Sequence, residues 1–399
     1  MTELATIVGA AHVRPGTALD AVDGVVPPLV ARPGTGAEVA RLIAAAGTAT
    51  VMATGLRGHL EIGARPQPVD LLMQLDRLDR VGAHSAADMT VVVEAGCPLP
   101  TLQRTLASAG QWLPIDPPCP GRTTVGGLVA ANLWGPLRAS QGSVRDLLIG
   151  LQVAGADGAL VSGGGRVVKN VAGYDLPKLH VGAFGQLGVL TELVFRVRPK
   201  PPVEAALSVP CQTPAAGVAL ALAIRERVEP LWLAVASAGT CGPTAVVLVG
   251  FAGVPAEVME ATGRVTALAS AARAVDAPSA LREEIADFPV HSGAATLRVS
   301  VLPTDLGTVL STLDMPVLAH VATGVAYVAI QAAEDVPRTL ATLRALATHL
   351  GGTTVVERAG PPTKQVLDVW GDLGPALPLM RRVKTQLDPG HRLAPGRLL

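Results

Sequence analysis

Apolar and polar residues follow two different periods along this chain, which predicts strands and helices in turn. The segment Val30–Pro33, which leads into a helical pattern, predicts a strand. Thr35 and Glu38 have the spacing of a capping box, so we expect a helix to begin there. Another helix is predicted at Pro98–Ala109, because a proline stands in its first turn and Gly110 follows its end. Further short apolar runs predict buried strands at Thr50–Ala53, Val69–Met73 and Thr90–Ala95.

The second half of the chain repeats one order of elements, namely strand, helix, strand, strand, helix. The first copy comprises Val203–Val209, Pro214–Val228, Leu231–Ser237, Thr244–Ala252 and Pro255–Ala272. The second copy comprises Leu297–Leu302, Asp305–Leu313, Val317–Val321, Val325–Gln331 and Val336–Leu350, with Thr354–Glu357 as a closing strand. Two such βαββα units imply one antiparallel sheet with helices on a single face. The other face of that sheet carries no helices and is then free to cover another part of the protein or a ligand.

A stiff proline-rich segment, Pro199–Pro202, predicts the main domain boundary because it follows a strand directly. We therefore divide the chain into a lead segment (1–26), a first domain (27–200) and a C-terminal domain (201–399). Strands and helices are present in both domains, so the predicted fold class is α+β.

The segment 121–150 carries six glycines and few bulky side chains. A backbone so bare can approach a flat, phosphate-bearing ligand closely enough to contact it through its N–H groups. Val125, Gly126, Gly127, Gly142 and Ser143 supply such N–H groups, in series with Pro117, Asn132, Arg145 and Asp146. They predict a pocket for a large planar dinucleotide. A valine at Gly126 is expected to block the ligand and to leave the fold largely intact.

A second glycine-containing loop follows the strand that ends near residue 53. It reads TGLRGHLEIG over Thr54–Gly63, and it suits either an anion-binding nest of backbone amides or an ordinary turn. His59 within it has three interpretations: a partner for phosphate, an attachment point for a covalent flavin, or a histidine that faces solvent. By contrast, Gly182, Gly185 and Gly188 lead into a strand and not into a helix, which excludes a nicotinamide-binding Rossmann motif.

Two groups of polar residues are candidates for chemistry. Lys169, Asn170, Tyr174 and Asp175 cluster in VVKNVAGYD, where lysine and tyrosine could polarise a flavin carbonyl or bind a carboxylate, unless the segment is a satisfied polar turn. Arg298 lies in an apolar strand and needs an anionic partner, either a substrate carboxylate or half of an ion pair. Tyr174 and Arg298 are the candidate catalytic residues.

Composition excludes several classes of function. Hydrophobic residues make up 49% of the chain and charged residues 16%, which indicates a globular protein. The 32 acidic and 32 basic residues form no block of like charge, which argues against nucleic acid or an anionic membrane surface as a partner. Mean hydropathy is +0.42, but no apolar stretch reaches the roughly 18–20 residues of a membrane-spanning helix. We attribute this high hydropathy to apolar residues in a subunit interface.

Cysteine and histidine spacing predicts no metal site. The four cysteines lie far apart without a C-x-x-C pair, so neither an iron–sulfur cluster nor a structural zinc is encoded. None of the eight histidines stands at ligand spacing from another. Free cysteines are typical of a protein of the reducing cytosol.

The motifs together resemble the flavin-binding oxidases of the p-cresol methylhydroxylase (PCMH) and vanillyl-alcohol oxidase type. Within this superfamily the chain is similar to the GlcE-type FAD-binding subunits of bacterial glycolate oxidase. The resemblance extends from about Val30 to the C-terminus and rests on TVGGLVAANLWGPLR with GSVRDLLIG, GGGRVVKNVAGYDLPKLHVGAFGQLGVLTELVFRVRPKP and MRRVKTQLDPGHRLAPGR.

The resemblance implies noncovalent FAD between two α+β subdomains of the first domain, with the isoalloxazine facing the sheet of the C-terminal domain. The loop expected to cradle the pyrophosphate is Gly55, Leu56, Arg57, Gly58 and His59. The residues expected to line the FAD are Val125, Gly126, Gly127, Asn132, Gly142, Ser143, Val153 and Val189.

The implied function is an FAD-dependent oxidoreductase that acts on the CH–OH group of a small 2-hydroxy acid. Its implied partners are a second flavin subunit and an iron–sulfur subunit that takes the electrons. The implied location is the cytoplasm, or the inner membrane face if those partners hold it there. Two alternatives stay open: a non-catalytic structural subunit with weak or lost FAD binding, and a stand-alone flavin oxidase of another small alcohol or acid.

The sequence departs from the family pattern at three places. The loop usually reads G-G-G-T/S-K, whereas here Leu56 and Arg57 stand between Gly55 and Gly58, and we expect Arg57 to contact phosphate directly. Ala394 replaces the usual asparagine of the C-terminal motif. The H-x-G-D-G-N metal and substrate motif of the catalytic relatives is absent.

Overall fold

The computed structural model describes residues 1–165, 174–290 and 293–399. Two sheets form the first half of the chain, and one large sheet forms the second half. This architecture confirms the α+β class and the prediction of an antiparallel C-terminal sheet. The three cores of these sheets are separate hydrophobic clusters, as expected for a chain of this length.

The first sheet is mainly parallel and has the strand order β1-β2-β4-β3. Its strands are β1 (Val13–Pro15), β2 (Leu29–Ala31), β3 (Val51–Thr54) and β4 (Leu71–Gln74). The helices packed against it are α1 (Thr2–Val8) and α2 (Gly36–Ala45). The Thr35 hydroxyl accepts a hydrogen bond from the Glu38 amide and caps α2, where the capping-box spacing predicted a helix start. The helix α1 was not predicted.

The second sheet is antiparallel and has the strand order β5-β6-β10-β8-β9. The strands of this region are β5 (Val81–Ser85), β6 (Thr90–Glu94), β7 (Gln111–Trp112), β8 (Leu148–Ala154), β9 (Leu160–Gly164), β10 (Val189–Arg196) and β11 (Arg198–Pro199). Its helices are α3 (Leu99–Ala107), α4 (Val125–Ala130), α5 (Arg138–Gln141), α6 (Val144–Leu147) and α7 (Leu176–His180). Strands β7 and β11 pair separately as a short ribbon.

The third sheet contains both predicted βαββα units as eight antiparallel strands in the order β15-β12-β14-β13-β17-β18-β16-β19. Its strands are β12 (Val203–Cys211), β13 (Trp232–Ala236), β14 (Ala245–Gly253), β15 (Arg273–Ala274), β16 (Ala295–Ser300), β17 (Val317–His320), β18 (Val325–Ile330) and β19 (Thr353–Ala359). The helices of this half are α8 (Pro214–Arg225), α9 (Pro255–Leu268), α10 (Pro278–Asp287), α11 (Leu306–Ser311), α12 (Val336–His349), α13 (Pro361–Val366) and α14 (Leu377–Leu387).

The two faces of the third sheet have different neighbours because successive strand residues point to opposite faces. On one face, residues such as Leu233 and Val235 pack with helices α8, α9, α11 and α12 in one core. On the opposite face, Trp232 and Ala234 pack with Leu137 of the first domain and Ile285 of α10. This second face, called the inner face below, therefore covers part of the first domain.

The chain passes from β11 to β12 between Pro199 and Val203, next to the predicted boundary at residue 200. The C-terminal tail then returns to the first sheet. The amide of Val51 donates to the carbonyl of Arg392 at 2.8 Å, and the amide of Ala394 donates to the carbonyl of Val51 at 2.8 Å. The last residues of the chain are thus an added edge of the first sheet, beside β3.

A buried ion cluster connects the lead segment to the C-terminal tail. Asp23 accepts hydrogen bonds from Lys364 Nζ at 3.0 Å and from Arg397 Nη1 at 2.9 Å. The side chains of all three residues are at most 3% exposed. Burial lowers the pKa of Lys364 to about 8, and the Asp23 carboxylate opposes that shift. One carboxylate thus compensates two buried cations.

Candidate functional site

A loop at the end of β3 forms one wall of a cleft in the first domain. Residues 55–59 lie tightly against the segment 122–124. A Cβ atom on Gly55 would come within 2.3 Å of Thr124 Oγ1, and one on Gly58 within 2.3 Å of the Arg122 carbonyl oxygen. Only glycine permits this packing at either position, so the two glycines place the loop against its neighbour.

Helix α4 forms the opposite wall, and Thr124 determines where it begins. The Thr124 hydroxyl accepts a hydrogen bond from the Gly127 amide at 3.1 Å, which caps the helix. Gly126 packs against Ala95, the residue that follows β6, because its amide donates to the Ala95 carbonyl at 2.7 Å. A Cβ on Gly126 would lie 2.7 Å from that same oxygen. Gly126 is therefore required by contact between protein elements, and the expectation that its replacement leaves the fold intact is wrong.

The cleft between these walls has a volume of about 900 Å³, including the part that opens to solvent. Small side chains dominate one wall, so a flat ligand can approach the backbone there. The lining residues with little or no side chain are Ala53, Gly55, Gly58, Ala95, Gly126, Gly127, Ala130, Ala131, Ala183, Gly185 and Gly188.

Two buried polar atoms of residues that line the cleft lack a hydrogen-bond partner among the described residues. They are Thr54 Oγ1 and one terminal nitrogen of Arg57, Nη1. The other terminal nitrogen of Arg57 donates to the Ala21 carbonyl at 2.7 Å, which fixes the guanidinium. Unpaired buried donors are costly unless a ligand satisfies them. An oxygen-rich anion such as a pyrophosphate fits this requirement.

His59 is partly buried and bound at both ring nitrogens. Arg358 Nη2 lies 2.8 Å from Nδ1, and because an arginine only donates, Nδ1 must be the acceptor. Nε2 then carries the proton and donates to Thr123 Oγ1 at 2.6 Å. Burial, with Arg358 and Arg122 nearby, lowers the pKa of His59 to about 3. Of the three interpretations, a solvent-facing histidine is wrong, and neither nitrogen is free for phosphate or a flavin bond.

The structure brings eight of the predicted FAD-binding residues together. Those on the cleft wall are Gly55, Leu56, Arg57, Gly58, His59, Gly126, Gly127 and Val189. Six others lie elsewhere: Pro117, Val125, Asn132, Gly142, Ser143 and Val153 are not among the residues that line the cleft. Val125 and Val153 belong to the core of the second sheet, and Ser143 caps α6 together with Asp146. A role for these six in binding FAD stays a prediction.

The candidate catalytic residues lie in different surroundings. Tyr174 is 95% exposed, and its neighbours Lys169 and Asn170 lie outside the described residues. Arg298 Nε donates to Glu357 Oε2 at 2.8 Å, so the ion pair that was one of its two predicted alternatives is present. A catalytic role for Tyr174 or Arg298 stays a prediction.

Several residues of the cleft were missed from the sequence. They are Thr54, Arg122, Thr124, Ala130, Ala131, His180, Ala183, Phe184, Gly185, Gly188 and Arg397. A usable signal existed for two of them, because Gly185 and Gly188 were noted as a glycine series and set aside once a Rossmann motif was excluded. Thr54 begins the loop Thr54–Gly63 and Arg397 ends the C-terminal motif, but the sequence assigned neither residue to the cofactor, and only the fold brings both to the cleft.

The described residues also limit what else the chain holds. They contain no group of three or more His, Cys, Asp or Glu side chains arranged to bind a metal ion. Across 1–165, 174–290 and 293–399, no helix has both the length and the apolar character needed to cross a membrane.

Comparison with protein families identifies the class of this site. Residues 27–164 match a family described as an FAD-binding domain, which confirms the predicted cofactor. The chain therefore contains an FAD-binding domain of the PCMH type. The similarity includes both cleft walls made by residues 54–59 and 122–131, and the unpaired atoms of Thr54 and Arg57 fit the phosphates of that cofactor.

Individual relatives are consistent with this class. Over 119 residues the chain is 45% identical to glycolate oxidase subunit GlcE of Escherichia coli, a match that covers 30% of this chain and 34% of that protein. Over 178 residues it is 32% identical to a D-2-hydroxyglutarate dehydrogenase of Xanthomonas citri, covering 44% and 38%. The matches thus span little more than a third of these relatives.

A solved structure extends the likeness of the fold to nearly the whole chain. An alkyldihydroxyacetonephosphate synthase superposes with a TM-score of 0.69 and 17% identity, covering 94% of this chain and 78% of that one. At this level of identity the likeness concerns the fold. It includes the C-terminal sheet, which the family match does not reach.

Replacing Arg57 by glutamine is expected to weaken FAD binding about tenfold or more, because a charge-assisted hydrogen bond contributes roughly 1.5–3 kcal/mol. The dissociation constant of FAD from flavin-free protein measures this. Exposed Arg41, changed to glutamine, is the control for loss of one positive charge. Equal FAD affinity in the Arg57→Gln variant and the unmodified protein would mean that Arg57 does not contact the phosphates.

Acid is expected to destabilise the protein through its buried histidines. Burial lowers the pKa of His180 and His320 to about 4, below the usual 6.5 of the unfolded chain. Between pH 6.5 and 4 the unfolded chain therefore binds more protons, so stability falls as the pH falls, by about 1.4 kcal/mol per pH unit for each histidine. Urea unfolding of the protein and of His320→Gln measures this. The difference between their free energies of unfolding should change by about 1.4 kcal/mol for each pH unit between pH 6.5 and 4. A difference that stays constant with pH would refute the lowered pKa of His320.

Proposed function

We propose that this chain is an FAD-dependent oxidoreductase of the glycolate oxidase type, acting on the CH–OH group of a small 2-hydroxy acid. The observation that supports it most is the cleft, in which Thr54 and Arg57 offer unpaired polar atoms within a region similar to FAD-binding domains. The names of the two relatives, a glycolate oxidase subunit and a D-2-hydroxyglutarate dehydrogenase, support the substrate class.

In this proposal the first domain (27–200) holds the cofactor and the C-terminal domain (201–399) covers it. Arg57 and Thr54 bind the phosphates, and the bare wall of α4 with Gly185 and Gly188 admits the flat parts of the molecule. His59 is a positioning residue, because it joins the loop to Thr123 and, through Arg358, to β19 of the C-terminal sheet. When bound, FAD accepts a hydride equivalent and releases electrons singly.

The proposed partners are a second flavin subunit and an iron–sulfur subunit, which makes this chain one component of a complex. The word subunit in the name of the relative from Escherichia coli supports an assembly. The mean hydropathy of +0.42 is consistent with an extensive subunit interface. We place the complex in the cytoplasm or, through its partners, at the inner membrane face.

The test is to purify tagged chain from its own host, alone and with whatever co-purifies, and to measure bound flavin, iron and dye reduction with glycolate and lactate. We expect flavin in both samples, iron only with the partners, and turnover that needs the complex. Turnover by the isolated chain would instead indicate a stand-alone oxidase. In a further sample, this chain carries Arg57→Gln and has lost its FAD. If the complex still contains the flavin of its partner and keeps its full activity, this chain is a structural subunit.

A further inference from the structure

Four side chains converge where the inner face of the third sheet meets the first domain. Trp134, just after α4, lies 5.4 Å from the His320 ring and 5.9 Å from the Tyr327 ring, measured between centroids. The guanidinium carbon of Arg138, at the start of α5, lies 4.8 Å above the Trp134 ring. We call Trp134, Arg138, His320 and Tyr327 the inner-face cluster.

We propose that the inner-face cluster binds the carboxylate of a small acid, with Arg138 as its charged ligand. This proposal rests on the proposed function, because it identifies the small acid as a 2-hydroxy acid. It goes further by assigning the recognition of the carboxylate to Arg138, a residue that sequence reasoning did not single out, and not to Arg298.

Arg138 is the cation of this region that lacks an anionic partner among the described residues. No carboxylate lies within 4.0 Å of its guanidinium, and no hydrogen bond from its side chain is formed within the described part of the chain. Burial lowers the pKa of Arg138, with Tyr327 and Arg298 close enough to act on it. A half-buried guanidinium without an acceptor favours an anion from solution.

The neighbouring charged side chains already have partners within the protein. Arg298 is held by Glu357, and Asp146 accepts hydrogen bonds from the amide and the hydroxyl of Ser143 at 2.8 Å each. Arg358, which also acts on Tyr327, donates to His59. Arg138, Arg298 and Glu357 together leave one net positive charge, which suits a monocarboxylate.

The uncharged members of the cluster complete a site for a small polar molecule. Tyr327 is 4% exposed and His320 5%, and neither side chain has a hydrogen-bond partner among the described residues. Burial raises the pKa of Tyr327 and lowers that of His320, so the phenol stays protonated and the imidazole stays neutral at pH 7. A phenol and an imidazole without partners offer hydrogen bonds to a hydroxyl or a carboxylate oxygen.

The position of the cluster agrees with a role beside the cofactor cleft. Helix α4 lines the cleft with Gly126, Gly127 and Ala130. Trp134 lies four residues after the end of this helix. On the sheet side, the register between β16 and β19 shifts: Thr296 pairs with Arg358 and Leu297 pairs with Val356, which leaves Glu357 as the extra residue between them. Glu357 then reaches Arg298 of the inner face while Arg358 reaches His59 of the cleft loop.

The test is isothermal titration of the FAD-loaded protein with two carboxylates that it cannot oxidise, acetate and 2-hydroxy-2-methylpropanoate. The second has no hydrogen on its carbinol carbon. We expect at least one to bind saturably and its amide to bind at least tenfold more weakly. Arg138→Gln should weaken the carboxylate at least tenfold, and Arg138→Lys less, because lysine keeps the charge but loses the planar fork. Exposed Arg145→Gln, a nearby loss of charge, should change affinity less than twofold.

Two results would overturn the inference: neither carboxylate binds, or Arg138→Gln binds as tightly as the unmodified protein. If Arg138→Gln does not fold, equal binding by Arg138→Lys and the unmodified protein overturns it. Dye reduction with glycolate, measured on the co-purified complex that carries the same variants, separates the two proposals. Binding that depends on Arg138 without turnover rejects the proposed activity alone, and turnover with binding independent of Arg138 rejects this inference alone.

Discussion

Replacing Asp23 by asparagine is expected to destabilise the protein by about 3–5 kcal/mol, the range for breaking a buried ion pair by removing one partner. The substitution leaves the Lys364 ammonium and the Arg397 guanidinium next to each other without their shared carboxylate. Both cations are almost fully buried, so water cannot replace it. Urea unfolding at pH 7 measures the loss.

The control for this prediction is Asp79→Asn, which removes the same charge from an exposed position and should change the free energy of unfolding by less than about 0.5 kcal/mol. Arg397 also donates to the carbonyls of Leu60 and Ala64, so the loop beyond the cleft should loosen together with the tail. An Asp23→Asn variant as stable as its Asp79→Asn control would show that the cluster does not hold the lead segment to the tail.

Replacing Gly127 by leucine is expected to reduce bound flavin to less than about a tenth of its normal occupancy and to leave the fold intact. Gly127 lies on the cleft wall, and the single atom within 4 Å of an added Cβ is Thr124 Oγ1 at 3.1 Å, so the new side chain extends toward the ligand. The flavin-to-protein ratio after purification, read from absorbance near roughly 450 nm, measures the effect.

Two glycine variants are the controls for Gly127→Leu. Gly263 lies in α9 with no atom within 4 Å of an added Cβ, so Gly263→Leu should keep its flavin. Gly126→Val should lose stability before it loses flavin, because its Cβ meets the Ala95 carbonyl. Full flavin occupancy in Gly127→Leu would mean that the ligand does not lie against α4.

The sequence predicted the C-terminal sheet well because short apolar runs and longer helical segments occur in the same order twice. Leu233 and Val235 point to one face and Trp232 and Ala234 to the other, and all four are apolar because both faces of the sheet are covered. Continuous apolar runs of strand length therefore predicted the strands. They could not give the covering of the inner face by Leu137 and α10, since that depends on how the two domains pack.

The glycines of the cleft show why a site is harder to predict than a fold. Gly55, Gly58 and Gly126 were assigned to the ligand, and all three lie on the cleft wall. Their missing Cβ atoms, however, make room for Thr124, Arg122 and Ala95. A sequence records that a side chain is absent but not which neighbour requires its absence.

Long-range pairs are the other part that the sequence did not determine. Arg298 and Glu357 are adjacent only because β16 pairs with β19 across a register shift, and His59 meets Arg358 only because the two domains touch. The choice between ion pair and substrate ligand for Arg298 therefore had to stay open until the register was known. Arg138 gave no signal of its own, because it ends the motif TVGGLVAANLWGPLR and nothing in that motif marks one arginine as a ligand.

The most direct test of the account is the amount and identity of flavin released when purified protein is denatured. The cleft described here predicts close to one FAD per chain, all of it in the supernatant and none left on the precipitated protein. Protein that carries no flavin and takes up none from added FAD would contradict the central claim that this cleft is an FAD site. Colour that remains on the precipitated chain would contradict noncovalent binding.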